Sequence, residues 1–278
     1  MQLNNLLDEI NVILPWDSAL ENDKVGLQIK VNDGEVRKIL VTIEVNDEVV
    51  DEAVINKCDT IITFHPLIYY PLATITESER ASRICIKLIQ NNINLISIHT
   101  AYDVYSKGTS RLISDRLDLV FIDYLDKNTK YNDCGLGVIS RFKKPVSSDF
   151  LIEKLSDLFS SPVRFCYGKK NLIETVGIIG GSGSSYLDKA ISKDLDAFIT
   201  ADVSYHKFHQ AKDKILLADI GHYEMEVFVV EGLTNLMTDI LKSYEDISVL
   251  PSMVHTNPVN YYPKGNFIEN QKKLLVKY

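Results

Sequence analysis

An α/β fold of two similar halves is predicted by three features of the chain. Short β-rich runs alternate with segments of helical period along most of its 278 residues. A 26-residue stretch of the first half aligns without a gap on one in the second. In both halves the strand that follows runs into a histidine. The length suits two domains, and 45% apolar residues build cores that need no disulfide or metal staples.

Taken in order, Lys38–Val45 reads as a strand and Asn46–Lys57 as a helix presenting Val49, Val50, Ala53 and Val54. Thr60–Phe64 is the next strand. Arg80–Asn91 has helical spacing at Ile84, Leu88 and Ile89, and Ile93–Ile98 is a third strand. Strand–helix–strand order implies parallel strands joined by right-handed crossovers. The polar, turn-rich Asp126–Asp133 marks a domain boundary, giving a first half over 1–128 and a second over 129–278. Beyond it lie Gly135–Ser140, a helix over Ser148–Phe159 and a strand at Val176–Ile179. A glycine-serine loop, Gly180–Ser185, leads into a helix over Tyr186–Lys193. Ala197–Thr200 and Lys214–Ile220 are strands, and Glu224–Lys242 is a single long helix.

The internal likeness pairs Lys38–Thr63 with Thr175–Thr200. Asp51 meets Asp188, Ala53 meets Ala190, Asp59 meets Asp196 and Thr63 meets Thr200. The strands INLISIH and KILLADIGH then end at His99 and His222.

A net charge of −8 argues against nucleic-acid binding through general phosphate neutralisation. Cys58, Cys85, Cys134 and Cys166 form no CxxC pair and sit among apolar residues, as reduced thiols do. The first residues carry Asp8 and Glu9 without a basic stretch, unlike a signal peptide. No apolar run approaches the roughly 18 residues of a membrane span. A cytoplasmic setting is expected.

Ligands of open parallel sheets collect beyond the carboxyl ends of the strands. His65, His99 and His222 fall there, three of only six histidines. His99 and Asp103 are four residues apart, as are His222 and Glu226; at a helix start that spacing sets both on one face. His65, Asp103, His222 and Glu226 together offer mixed nitrogen and oxygen ligation, suited to zinc, manganese, iron or cobalt rather than calcium. An isolated HxxxE is ordinarily a surface pair, so the metal reading rests on convergence. Gly180–Ser185 is a candidate phosphate cradle, though it lacks GK[ST] and a full GxGxxG, and a tight turn accounts for it equally. Asp202, which aligns with His65, and His206 are expected to line the cleft; His209 is not. Tyr69, Tyr70, Tyr261 and Tyr262 could stack bases, but core-edge packing is the commoner fate of such residues.

In sequence order these stretches resemble the NGG-one-interacting-factor-three-like family, whose bacterial members are named GTP cyclohydrolase 1 type 2 homologues. The resemblance is carried by Trp16-Asp17 with Lys24–Gln28, Ile62–Ile68, His99–Asp103, Gly180–Gly183, Thr200–His206, Gly221–Glu226 and Thr256–Val259. It implies two α/β domains around a shared metal cleft, assembled as a homo-oligomer, a hexameric ring. It implies two divalent metals: His65, Asp103 and Glu226 at one, His222 and Glu226 at the other. The second site normally also uses the first histidine of a His-His-Pro-Leu run, where this chain has Phe64. One firm metal and a second, weak or absent, are therefore expected. Ser110-Arg111 is a smaller departure, where relatives tend to carry Asn-Asp.

Metal-assisted hydrolysis of a nucleotide or phosphoester is the activity implied. A divalent ion lowers the pKa of its water towards neutrality, and His99 or His206 would shuttle protons. The alternative is a non-catalytic ring-forming metal-binding scaffold or adaptor.

Overall fold

The computed structural model describes residues 1–31 and 34–261. The first unit opens with α1 (Leu3–Ile13), β1 (Gly26–Ile29), β2 (Lys38–Thr42), α2 (Asp47–Ile55), β3 (Thr60–Thr63), α3 (Arg80–Gln90) and β4 (Asn94–Ser97). Its crossover helix begins where the sequence supplies a cap: Asn46 Oδ1 accepts the Val49 amide at 2.9 Å, and Asp47 and Glu48 favour the positive end of the helix. Val49, Val50 and Ala53 go into the core with Ile61, Ile84, Leu88 and Leu95. β3 and β4 are buried along their whole length, as parallel strands covered on both faces are.

The short α4 (His99–Asp103) straddles the division between units, which falls after Tyr102. The second unit continues with α5 (Thr109–Arg116), β5 (Val120–Lys127), β6 (Gly135–Ser147), α6 (Ser148–Phe159), β7 (Arg164–Cys166) and β8 (Leu172–Ser182). It is completed by α7 (Leu187–Ser192), β9 (Ala197–Ala201), α8 (Tyr205–Ala211), β10 (Leu216–Asp219) and α9 (His222–Glu226). The chain then returns to the first unit with α10 (Val229–Leu241) and β11 (Ser248–Pro251).

Two mixed sheets result, ordered β1-β4-β3-β2-β11 and β5-β6-β8-β9-β10-β7. The fold is thus α/β with two similar parts, as expected. The likeness reaches further than the aligned segments. β2, β3 and β4 are parallel neighbours, as are β8, β9 and β10. Each trio is bordered by an antiparallel strand, β1 on β4 and β7 on β10. The shared aspartates do the same work in both units. Asp59 Oδ2 accepts the amides of Arg37 and Lys38 at 2.8 and 3.1 Å. Asp196 Oδ2 accepts those of Glu174 and Thr175, both at 2.9 Å. Each carboxylate thereby ties the start of one parallel strand to the start of the next.

Three expectations differ from the structure. The compact units do not follow 1–128 and 129–278, because β11 pairs in parallel with β2 and carries Val229–Pro258 into the first unit. The single helix over Glu224–Lys242 is two, α9 and α10, separated at Val227 and Phe228. Met225, Val227, Phe228, Val229 and Val230 are all buried, and consecutive apolar residues cannot all face one side of a straight helix. The break also falls where the chain passes between units. The glycine-serine loop is not a loop throughout, since β8 runs on to Ser182.

Among the described residues no helix is long and apolar enough to cross a membrane. All four cysteines are free, with Cys58 and Cys85 buried. Tyr69 and Tyr70 are exposed and pack edge to face on each other. Tyr262 lies outside the described residues.

Candidate metal centre

The strand-end histidines emerge where parallel strands stop. In the first unit His65 follows β3, and its amide still donates to Ile43 O at 2.8 Å. His99 begins α4 with a positive φ of 32°. Its ring packs edge-on against His65, with centroids 5.4 Å apart. Phe64, fully buried, fills the space beside both: its ring is 5.0 Å from that of His65 and 5.6 Å from that of His99.

His99 has a partner that sequence spacing gave no hint of. Its Nδ1 lies 2.7 Å from Asp23 Oδ1. Asp23 also accepts the Thr100 amide at 3.1 Å and the Thr100 hydroxyl. Burial opposes ionisation of this carboxyl, but the hydrogen bonds from His99 and Thr100 prevail and hold it at about 2. A carboxylate only accepts, so Nδ1 of His99 is the donor in this contact. His65 has a looser version: Nδ1 is 3.5 Å from Glu44 Oε1. Burial opposes ionisation of Glu44 too, and His65 and Arg80 hold it below the ordinary carboxylate range.

The Asp23 side chain is 4% exposed, so its depressed value bears on stability. Against an ordinary value of 3.8, the shift is worth about 2 kcal/mol. A depressed folded-state value stabilises fully above the unfolded one and is lost as pH falls through the folded one. Wild type should therefore lose about 2 kcal/mol more than Asp23→Asn between about pH 5 and pH 2, read from urea unfolding at each pH. Equal losses in the two proteins would refute the assignment.

In the second unit the equivalent element is α9, which like α4 begins with histidine and ends four residues later with a carboxylate. His222 Nε2 is 3.1 Å from Glu226 Oε1, and His222 Nδ1 is 2.6 Å from Asp202 Oδ2. The imidazole is pressed down by burial and raised by Asp202 and Glu226, ending at about 10. Asp202 is lowered, chiefly by the His222 hydrogen bond.

Gly181, at φ +66°, backs this pair. A Cβ there would stand 2.3 Å from Glu226 Oε1 and 3.4 Å from His222 Nε2. Only a bare backbone leaves room for both donors. An imidazole nitrogen beside a buried carboxylate is a donor set for a borderline divalent cation such as zinc, manganese, iron or cobalt.

Asp103 Oδ1 accepts the Thr109 hydroxyl at 2.6 Å. Thr109 in turn lies where a Cβ on Gly180 would fall, at 2.3 Å. His206 is exposed on α8 and packs edge-on against Tyr205, with centroids 5.6 Å apart; His209, likewise exposed, lies 4.7 Å from the same ring.

In the Gly180–Ser185 run, the candidate phosphate cradle, two amides are already taken. Gly180 N donates to Ser110 Oγ at 3.1 Å and Gly183 N to Thr200 Oγ1 at 2.8 Å, so both amides are committed within the fold. The same contact explains Ser110, whose hydroxyl receives the Gly180 amide. Arg111 pairs with Asp115 and lies over Phe121.

Strand-end histidines with carboxylate partners, on two sheets that share a parallel trio of strands with an antiparallel border, define an α/β protein with a candidate metal centre. Residues 1–258 match the Duf34/NIF3 (NGG1p interacting factor 3) family, and the chain belongs to it. It is 31% identical over 264 residues to a Lactococcus lactis protein named GTP cyclohydrolase 1 type 2 homolog, covering 93% of this chain and 98% of that one. The Staphylococcus aureus hypothetical protein SA1388 has a similar structure, with a TM-score of 0.87 and 27% identity over 94% of this chain and 99% of that one. A Bacillus cereus protein related to NIF3 shares the fold, with a TM-score of 0.83 and 20% identity over 94% and 99% of the two chains.

Proposed function

We propose that the protein is a metal-dependent hydrolase of a nucleotide or phosphoester, with His222 and Glu226 of the second unit as ligands of a divalent cation and His65 and Asp103 as the further ligands that the family resemblance implies. The observation that carries this reading is the His222–Glu226 pair set against the bare backbone of Gly181. When bound, a divalent cation lowers the pKa of its water towards neutrality and polarises a carbonyl or phosphoryl oxygen. The chain's own groups supply the rest. Glu226 anchors from a buried position on α9. His99, with Nδ1 committed to Asp23, keeps Nε2 for proton transfer, and His206 is a second proton carrier. The name of the Lactococcus lactis relative makes GTP the first nucleotide to try. We assign the protein to the reducing cytoplasm, which the free, buried Cys58 and Cys85 suit, and to a homo-oligomer, a hexameric ring.

Phe64 supports a second reading, a ring-forming scaffold that binds metal without chemistry. Its apolar ring, buried beside His65 and His99, takes the sequence position at which the resemblance implies an imidazole for a second metal, and two-metal mechanisms require both ions about 3.5–4 Å apart. One firm equivalent of metal per chain, and less than a full second one, is expected from protein purified without chelator. Glu226→Ala should lose that metal and any turnover of GTP or a model phosphodiester in the presence of manganese. Turnover by wild type that survives in the variant removes Glu226 from the mechanism. Bound metal with no turnover of any nucleotide favours the scaffold.

A further inference from the structure

We propose that Asp202 is a positioning residue for the cation: it fixes His222 with the proton on Nδ1, so that Nε2 presents its lone pair to the metal. The inference rests on the metal site proposed above and adds a residue to it. Asp202 Oδ2 lies 2.6 Å from His222 Nδ1, while the opposite nitrogen, Nε2, lies 3.1 Å from Glu226 Oε1 and beside the bare backbone of Gly181. One ring edge is therefore tied to a carboxylate and the other faces the proposed ligand set. A histidine ligand whose second nitrogen donates to a carboxylate has a fixed tautomer and orientation, and gains basicity.

Four further observations separate this role from ordinary surface pairing. The Asp202 side chain is 52% exposed, and exposed ion pairs contribute little to folding. Asp202 nevertheless holds a positive φ of 54°, a conformation aspartate tolerates better than most residues. It also occupies, directly after β9, the place that His65 occupies after β3 in the internal alignment. The second unit has thus replaced a donor at this strand end by the partner of a donor. His99 and Asp23 show the same imidazole–carboxylate arrangement at 2.7 Å, built from a different part of the chain.

The test uses the full-length protein and zinc. Zinc affinity is measured by competition with a chromogenic chelator, for wild type, Asp202→Asn and Asp202→Glu. Asp202→Asn should bind zinc about 10–100-fold more weakly, while the unfolding midpoint of the metal-free protein stays unchanged. Asp202→Glu should recover part of the loss. In zinc-loaded wild type, nitrogen chemical shifts of His222 should show the proton on Nδ1, a readout that a merely structural role would not set. Equal zinc affinity in wild type and Asp202→Asn overturns the proposal, as does a His222 proton found on Nε2 even if a variant fails to fold. Wild type that binds no zinc fails differently, since it removes the metal site itself.

Discussion

Gly181→Ala is expected to empty the metal site while leaving the fold standing. The added methyl group would sit 2.3 Å from Glu226 Oε1 and 3.4 Å from its Cδ, well inside contact distance. The carboxylate is the end of a flexible side chain, so it can swing away, and in doing so it leaves the position beside His222 Nε2. The backbone cost is separate: a left-handed φ of +66° imposes about 1–2 kcal/mol on an alanine. The metal cost is larger, because displacing a ligand exceeds the about 10–100-fold loss typical of disturbing an outer partner. Metal content after dialysis against buffered zinc should fall to background, with a fall in melting temperature of only several degrees for the metal-free protein. A variant that keeps a full equivalent of zinc would show that Glu226 is not held by this backbone.

Gly181 also shows what a sequence yields and what it hides. The Gly180–Ser185 run announces that glycine is needed, and a phosphate cradle is one reason for such a run. The actual reason is the approach of Glu226, whose carboxylate arrives from 45 positions away in sequence; no local pattern records that contact. The strand–helix–strand cores were legible because they rest on local rules. Asn46 caps α2, and Ser147 caps α6 by accepting the Phe150 amide at 3.2 Å, and β3, β4, β9 and β10 each centre on adjacent apolar residues, Ile61-Ile62, Leu95-Ile96, Phe198-Ile199 and Leu216-Leu217. The identity of Asp59 and Asp196 was legible too, although its meaning, a clamp on the neighbouring strand start, appears only in coordinates. The borders of the sheets were not legible. β1 and β7 are four and three residues long and owe their strand form to the partners β4 and β10, a tertiary effect that outweighs local propensity. Among site residues, spacing exposed His222 with Glu226 because they share one short helix. It missed Asp23, which lies 76 residues from His99 in a polar stretch that reads as a turn.

Phe64→His is expected to raise metal content from about one equivalent per chain towards two, if the departure at this position is what weakens the second site. In the wild type the phenyl ring is fully buried, tilted against His65 at 5.0 Å and edge-on to His99 at 5.6 Å and to Tyr102 at 6.5 Å. Replacing it with imidazole removes apolar packing and buries two ring nitrogens, which without partners costs about 1–3 kcal/mol. The metal-free variant should therefore melt below wild type. Cation binding changes the sign of the comparison. A ligand that binds only the folded state stabilises it by about 2.7 kcal/mol at 100 times its dissociation constant, so a second cation would offset the loss. The signature is a larger rise in melting temperature on adding manganese or zinc to the variant than to wild type, with stoichiometry by elemental analysis approaching two. If the folded variant still holds a single equivalent, Phe64 is not the reason for the missing ion. If it gains both the ion and turnover of GTP or a phosphodiester absent from wild type, the scaffold reading describes the natural chain and the hydrolase reading the architecture from which it departed.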